Sequence, residues 1–163
     1  FTPDYASPEQ VKGGPVGTQT DVYSLGAVLY ELLTGRRAHR LTTYSPGELV
    51  DVICGQDPEP LSAAASAEFR PLLRGDLETI VAKAMEKDPA RRYASVDRLR
   101  LDLENYLEGL PISARPPTLS YLAGKFVSRH RLSVAVAAFS AIALVATAAF
   151  ALYQARQAAA RFS

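Results

Sequence analysis

The 163-residue chain has a single cysteine, Cys54, and only two histidines, His39 and His130. One thiol excludes an internal disulfide and a cysteine zinc cluster, leaving Cys54 as a half-buried structural thiol. Both histidines sit among arginines with no second ligand at a useful spacing, so no metal site is expected. An excess of one charge is also missing: 18 Lys and Arg against 17 Asp and Glu give a net charge of +1. That balance argues against a nucleic-acid partner held by bulk charge. No alternating apolar–polar run marks a strand, no repeat recurs, and no Ser/His/Asp or Cys/His constellation offers nucleophilic chemistry. The chain opens without an initiator Met, and no targeting segment is recognisable at its start. The length allows one ordinary domain with an appendage.

What is present is helical periodicity. Asp21–Gly35, with Thr20 in front, reads TDVYSLGAVLYELLTG. Val22, Tyr23, Leu25, Ala27, Val28, Leu29, Leu32 and Leu33 cover nearly every direction of a helix, which predicts a buried core helix. Thr20 or Asp21 is expected to cap its start, and Gly35 to take the left-handed position past its end. At about 14 residues it is too short to span a bilayer.

The flanking elements carry their own start and stop signals. Ser7 caps a short turn with Pro8 at its first position and Glu9 and Gln10 at its positive end, and Gly13-Gly14-Pro15 stop it. Ser45-Pro46-Gly47-Glu48 reads as a capping box opening a helix from Pro46 to Cys54. Asp76 is expected to cap a helix from Leu77 to about Lys87, with Leu77, Ile80, Val81, Ala84 and Met85 as its buried stripe. Asp88-Pro89 breaks it. Ser95 is expected to cap a last helix from Val96 to Glu108, with Val96, Leu99, Leu103, Tyr106 and Leu107 as its stripe.

One compositional shift is large. Leu132–Tyr153 contains no charged residue. Its length of about 33 Å at 1.5 Å per residue suffices for the hydrocarbon core of a membrane. A buried hairpin of a soluble protein is the alternative. Residues 110–131 before it hold Pro111, Pro116 and Pro117 and then turn basic and aromatic, which reads as a juxtamembrane linker. Arg115, Lys125, Arg129 and Arg131 outnumber Arg156 and Arg161 on the far side, which predicts that the globular part faces the cytoplasm. The expected organisation is a lobe over 1–109, the linker over 110–131, a transmembrane helix over 132–153, and the start of an extracytoplasmic segment over 154–163.

Three segments in this order, TPDYASPEQ, TDVYSLGAVLYELLTG and AMEKDPARRYAS followed by a helix, resemble the C-terminal lobe of eukaryotic-type Ser/Thr protein kinases. The resemblance covers about Phe1 to Leu107. It implies an all-α piece of the α+β kinase fold, with Asp21–Gly35 as the scaffold helix. It places Ser7-Pro8-Glu9 on the A-P-E motif that closes the activation loop, with Ser7 in place of the alanine. It pairs Glu9 with Arg92; two unrelated surface charges are the alternative. It assigns Asp21 to holding the catalytic-loop backbone, a role that can coexist with capping. It assigns Thr2 to supporting the catalytic loop, and Thr2, Pro3, Asp4 and Tyr5 to the pocket for the residue after the phosphoacceptor.

Departures from the family are as informative. Phosphoryl transfer needs a Gly-rich loop, a β3 lysine, a catalytic-loop Asp and Asn, and a DFG aspartate for Mg²⁺. None is in this sequence, and Gly13-Gly14 is not a phosphate loop because no strand precedes it. The resemblance therefore implies a fragment of a kinase whose ATP and Mg²⁺ bind elsewhere, inactive by itself. The order lobe, linker, basic stretch and span also resembles bacterial membrane-anchored receptor kinases, single-pass in the inner or plasma membrane. Implied partners are protein substrates and membrane lipid, with no nucleic acid and a homodimer left open. The alternative function is a non-catalytic kinase-like module that docks partners at the inner membrane face. Separated from the rest of a kinase, the lobe is expected to expose an apolar patch on the central helix.

Overall fold

The computed structural model describes residues 2–161, with side chains through residue 151. Phe1, where the resemblance begins, lies outside the described residues, as do the last two residues of the expected 154–163 segment and the side chains of Arg156 and Arg161. Every regular element among the described residues is helical. The chain divides into two compact units, Phe1–Pro117 and Thr118–Ser163.

The first unit contains α1 (Pro8–Val11), α2 (Thr18–Thr34), α3 (Pro46–Leu49), α4 (Leu61–Ala64), α5 (Arg70–Leu73), α6 (Asp76–Ala84) and α7 (Val96–Leu107). Helix α2 is its hub, touching α4, α6 and α7. Tyr23, Ala27 and Tyr30 on α2 meet Leu61, Ala64, Leu73, Leu77, Val81 and Met85 in one core. Each large apolar side chain removed from water there contributes about 1.5–3 kcal/mol, more than helix propensity supplies. The α2–α6 approach is close enough to require a glycine. A Cβ on Gly26 would stand 2.8 Å from Met85 Cγ and 2.9 Å from Ala84 Cβ.

Several local expectations change. Helix α2 begins at Thr18, and its N-cap is Gly17 rather than Thr20 or Asp21. The Thr20 hydroxyl accepts from Gly17 N at 3.2 Å and donates to Glu9, so it is occupied elsewhere. Gly35 does take the left-handed position, with φ 70°. The helix is also not buried all round. Val22, Tyr23, Gly26, Ala27 and Tyr30 face the core, but Asp21, Leu25, Val28 and Leu32 are exposed, Leu32 by 76 %. Those four recur at helical spacing, so they form one exposed stripe.

At α3, Ser45 accepts from Glu48 N at 3.2 Å, but the Glu48 carboxylate does not return to Ser45. It gathers instead the backbone and hydroxyl groups of Thr42 and Thr43 and the backbone N–H of Tyr44. Those donors hold its carboxyl well below the usual range, at about 2. The helix then widens into a π-helical stretch, Val50–Cys54. Helix α6 is capped by Gly75 at φ 104°, and Asp76 lies inside its first turn, where it accepts from Arg115 at 3.3 Å. On α7, Ser95 caps as its position suggests and Leu99 of the expected stripe is buried, but Leu107 is 80 % exposed and the other buried residue is a carboxylate, Asp102.

The second unit holds α8 (Leu119–Arg129) and α9 (Arg131–Arg161), separated by His130. Within the stretch read as a linker, residues 119–129 are helical. The Thr118 hydroxyl accepts from Tyr121 N at 3.4 Å to start the helix, and all three prolines lie before it. The first 21 residues of α9, Arg131–Ala151, are long and apolar enough to cross a membrane, and none of them is a buried residue.

Candidate functional site

The segment before α2 holds only a 3₁₀ turn and the single turn of α1, so it must be tied down by side chains. Its strongest tie is Arg92, on the connection between α6 and α7. The Arg92 side chain is fully buried, and the Glu9 side chain is 10 % exposed. Arg92 Nη1 donates to Glu9 Oε1 at 2.7 Å and Nη2 donates to Glu9 Oε2 at 2.8 Å, a bidentate pair. Nη1 also reaches Gln19 O at 2.8 Å, Nη2 reaches Lys87 O at 3.2 Å, and Nε reaches Glu86 O at 2.7 Å. Every N–H of the guanidinium thus has an acceptor, which is the condition for burying such a charge. Its plane lies over the Tyr23 ring, 4.9 Å from the centroid. Thr20 Oγ1 donates to Glu9 Oε1 at 2.8 Å. Burial would raise the Glu9 carboxyl, but the hydrogen bonds from Arg92 and Thr20 outweigh it and hold it at about 2.

One clamp therefore joins four pieces: the end of the loop at Glu9, the start of α2, the end of α6, and the turn into α7. Ser7 adds a complete capping box with Gln10, accepting from Gln10 N at 3.3 Å while its own N–H reaches Gln10 Oε1 at 3.0 Å.

Residues 2–5 are placed as follows. Thr2 is exposed and precedes a 3₁₀ turn, Pro3–Tyr5. Asp4 is buried and its Oδ1 accepts from Arg37 Nη1 at 2.7 Å and from Tyr44 OH at 3.1 Å. Tyr5 OH donates to Glu31 Oε2 at 2.8 Å, and Ser24 Oγ donates to Tyr5 O at 2.9 Å. The turn is thereby fastened to α2 and to the connection after it. Asp21 stands apart, exposed in the first turn of α2, with no hydrogen bond or ion pair among the described residues.

Two polar centres had no sequence signal. Asp102, 1 % exposed, accepts from Tyr93 OH at 2.9 Å, Ser113 N at 2.7 Å, Ser113 Oγ at 3.0 Å and Ala114 N at 2.8 Å. It straps residues 112–114 onto α7, with Ile112 buried beside it. Burial and the Asp102 carboxylate push the Tyr93 phenol up. The second centre is His39, 3 % exposed, whose Nε2 lies 2.8 Å from Tyr23 OH and 3.5 Å from Lys87 Nζ. An ammonium only donates, so Nε2 is the acceptor and the ring is neutral with its proton on Nδ1. Burial, and then the Lys87 charge, lower it to about 4. Lys87 also donates to Ile53 O at 2.8 Å.

Among the described residues no group of three or more His, Cys, Asp and Glu converges where a metal could sit. A cavity of about 580 Å³ opens beside Tyr30, Glu59, Leu61, Met85 and Glu86, and none of Thr2–Glu9, Asp21 or Arg92 lines it.

With this geometry in place, the relatives are consistent. A probable serine/threonine-protein kinase of Streptomyces coelicolor is 37% identical over 125 residues, 77% of this chain and 18% of the relative. The serine/threonine-protein kinase PknB of Mycobacterium tuberculosis is 40% identical over 113 residues, 69% of this chain and 17% of the relative. The serine/threonine-protein kinase PknD of Chlamydia pneumoniae is 37% identical over 124 residues, 73% of this chain and 12% of the relative. No protein-family model matches the chain. The twitchin kinase region from C. elegans aligns at 23% identity and a TM-score of 0.46, over 73% of this chain and 18% of that one. The chain belongs to the bacterial serine/threonine protein kinases. It spans 12% to 18% of the length of these relatives.

Proposed function

We propose that this chain is the substrate-facing part of the C-lobe, and the membrane anchor, of an ATP-dependent serine/threonine protein kinase acting on cytoplasmic proteins. The observation that carries this reading is the closed Glu9–Arg92 clamp. A protein kinase gains most of its rate from positioning. The loop that seats the substrate is irregular backbone and needs a rigid fixture. Arg92 supplies one by joining Glu9, the start of α2 and the connection after α6. In this reading Thr2 supports the catalytic loop, Pro3 and Tyr5 shape the pocket beside the phosphoacceptor, and Asp4, already paired with Arg37, fixes the turn. Asp21 and the stripe Leu25, Val28 and Leu32 face the catalytic part of the parent kinase. ATP and Mg²⁺ are held by the parent kinase outside this chain, whose described residues offer them no ligand set.

The same reading takes α9 as a single membrane span with the lobe on the cytoplasmic side, supported by its exposed apolar length and by the basic residues on the lobe side.

The test uses the full-length kinase and measures phosphate transfer from labelled ATP to a general protein substrate. Arg92→Ala and Glu9→Gln are expected each to reduce transfer at least tenfold, with the chain alone transferring none. A full-length protein that captures partners but transfers no phosphate would establish the non-catalytic docking module instead.

A further inference from the structure

Helix α8 is amphipathic and its apolar face is uncovered. Leu119, Leu122, Ala123 and Phe126 recur at i, i+3, i+4 and i+7, so they share one side of the helix. Leu119 is 87 % exposed, Phe126 60 % and Val127 46 %. Lys125 and Arg129 flank that side one turn apart, and Lys125 Nζ lies 5.9 Å from the Tyr121 ring centroid. This is the arrangement of a helix that lies in an interface: apolar stripe inward, with cations beside it.

Two further observations say what covers it. First, only His130 separates α8 from α9, and its backbone (φ −114°, ψ 38°) bends the chain there. If α9 enters a bilayer at its first residues, α8, about 16 Å long, starts at the bilayer surface and points away from the axis of the span. Second, the charge is one-sided. All 17 acidic residues lie at or before Glu108, whereas Arg115, Lys125, Arg129, Arg131, Arg156 and Arg161 follow it. An anionic surface attracts such a basic segment.

We propose that α8 is an interfacial helix docked on an anionic lipid surface, with Leu119, Leu122 and Phe126 below the headgroups and Lys125 and Arg129 on lipid phosphates. The inference rests on the reading of α9 as a membrane span.

The test uses the full chain in nanodiscs of phosphatidylcholine alone or mixed with phosphatidylglycerol. A fluorophore is placed on single cysteines in a Cys54→Ser background: Phe126→Cys on the apolar side, Ser128→Cys on the polar side, and Phe139→Cys within the span. Quenching by brominated lipid is compared with quenching by aqueous iodide. The expected result is lipid quenching at 126 and 139 and iodide quenching at 128. Amide exchange over 122–129 is expected to slow on the order of tenfold when phosphatidylglycerol is added, a gain lost in Lys125→Gln/Arg129→Gln. Lipid quenching at 139 with iodide quenching at 126 would overturn the proposal while leaving the span intact. A label at 126 shielded from both quenchers would overturn it in favour of a protein-covered face. Absence of lipid quenching at 139 would remove the span, and the interfacial helix with it.

Discussion

Two buried carboxylates tie irregular segments to the same lobe, and they do it by different chemistry. Glu9 is held by a guanidinium, and Asp102 by neutral donors, one phenol, one hydroxyl and two backbone N–H groups. The first is a charge pair in which each partner solves the other's desolvation. The second is a cradle in which backbone amides take the place of a cation. The lesson is that a loop can be fastened by the identity of one distant side chain, or by a local fold that presents N–H groups. The first concentrates its signature in one pair of side chains, whereas the second divides it between two side chains and two backbone N–H groups that substitutions cannot remove.

The largest effect expected from breaking this comparison is at Arg92. Arg92→Ala leaves Glu9 buried without its cation and three backbone carbonyls without their donor. A loss of about 3–5 kcal/mol is expected, read as a shift in the urea midpoint of the full chain in detergent. Asp102→Ala strands donors that are partly reachable by water, so a smaller loss of about 2–3 kcal/mol is expected. Its distinguishing sign is local: amide exchange at Ser113 and Ala114 accelerates before the rest of the lobe opens.

Acid separates the contributions further. Glu9 is depressed from its ordinary 4.5 to about 2. Its stabilisation is therefore full above pH 4.5 and is lost as pH falls towards 2, because the unfolded chain takes up the proton first. His39 is also depressed, from 6.5 to about 4. The folded lobe holds it neutral while the unfolded chain protonates, so stability is lost earlier, between pH 6.5 and 4, by on the order of 3 kcal/mol. Urea midpoints measured across that window should fall in the wild type and stay nearly flat in His39→Phe. The smallest expected effect is at Gly26. Gly26→Ala forces its methyl against Ala84 Cβ, which sits on a helix and cannot swing away, for a loss of about 1–2 kcal/mol in the same melts.

Legibility in the sequence follows the same division. The stripe of α6, Leu77 to Met85, was readable because apolar spacing alone decides it, and the whole stripe is buried. Ser7, Ser45 and Ser95 were readable as caps because a hydroxyl before a helix has one dominant use. Glu9 and Arg92, 83 positions apart, became a named pair only through the kinase resemblance. Asp102 was invisible because a carboxylate on an amphipathic helix reads as solvated, and its donors come from a strap with no pattern of its own. The exposed side of α2 was hidden for the opposite reason: apolar residues report what prefers burial, not what is present to cover it. Helix α8 was obscured by the prolines just before it, although Thr118 and the spacing of Leu119, Leu122 and Phe126 mark its start.

The most direct test of the account is a double-mutant cycle on Glu9→Gln and Arg92→Lys in the full chain, measured by urea unfolding in detergent. A shared clamp predicts a coupling of about 2 kcal/mol between the two sites, with the double variant no less stable than the Arg92 single by more than a few tenths. Losses that add to within about 0.5 kcal/mol would mean that Glu9 and Arg92 do not act on one another, and the loop would have to be fixed by something else.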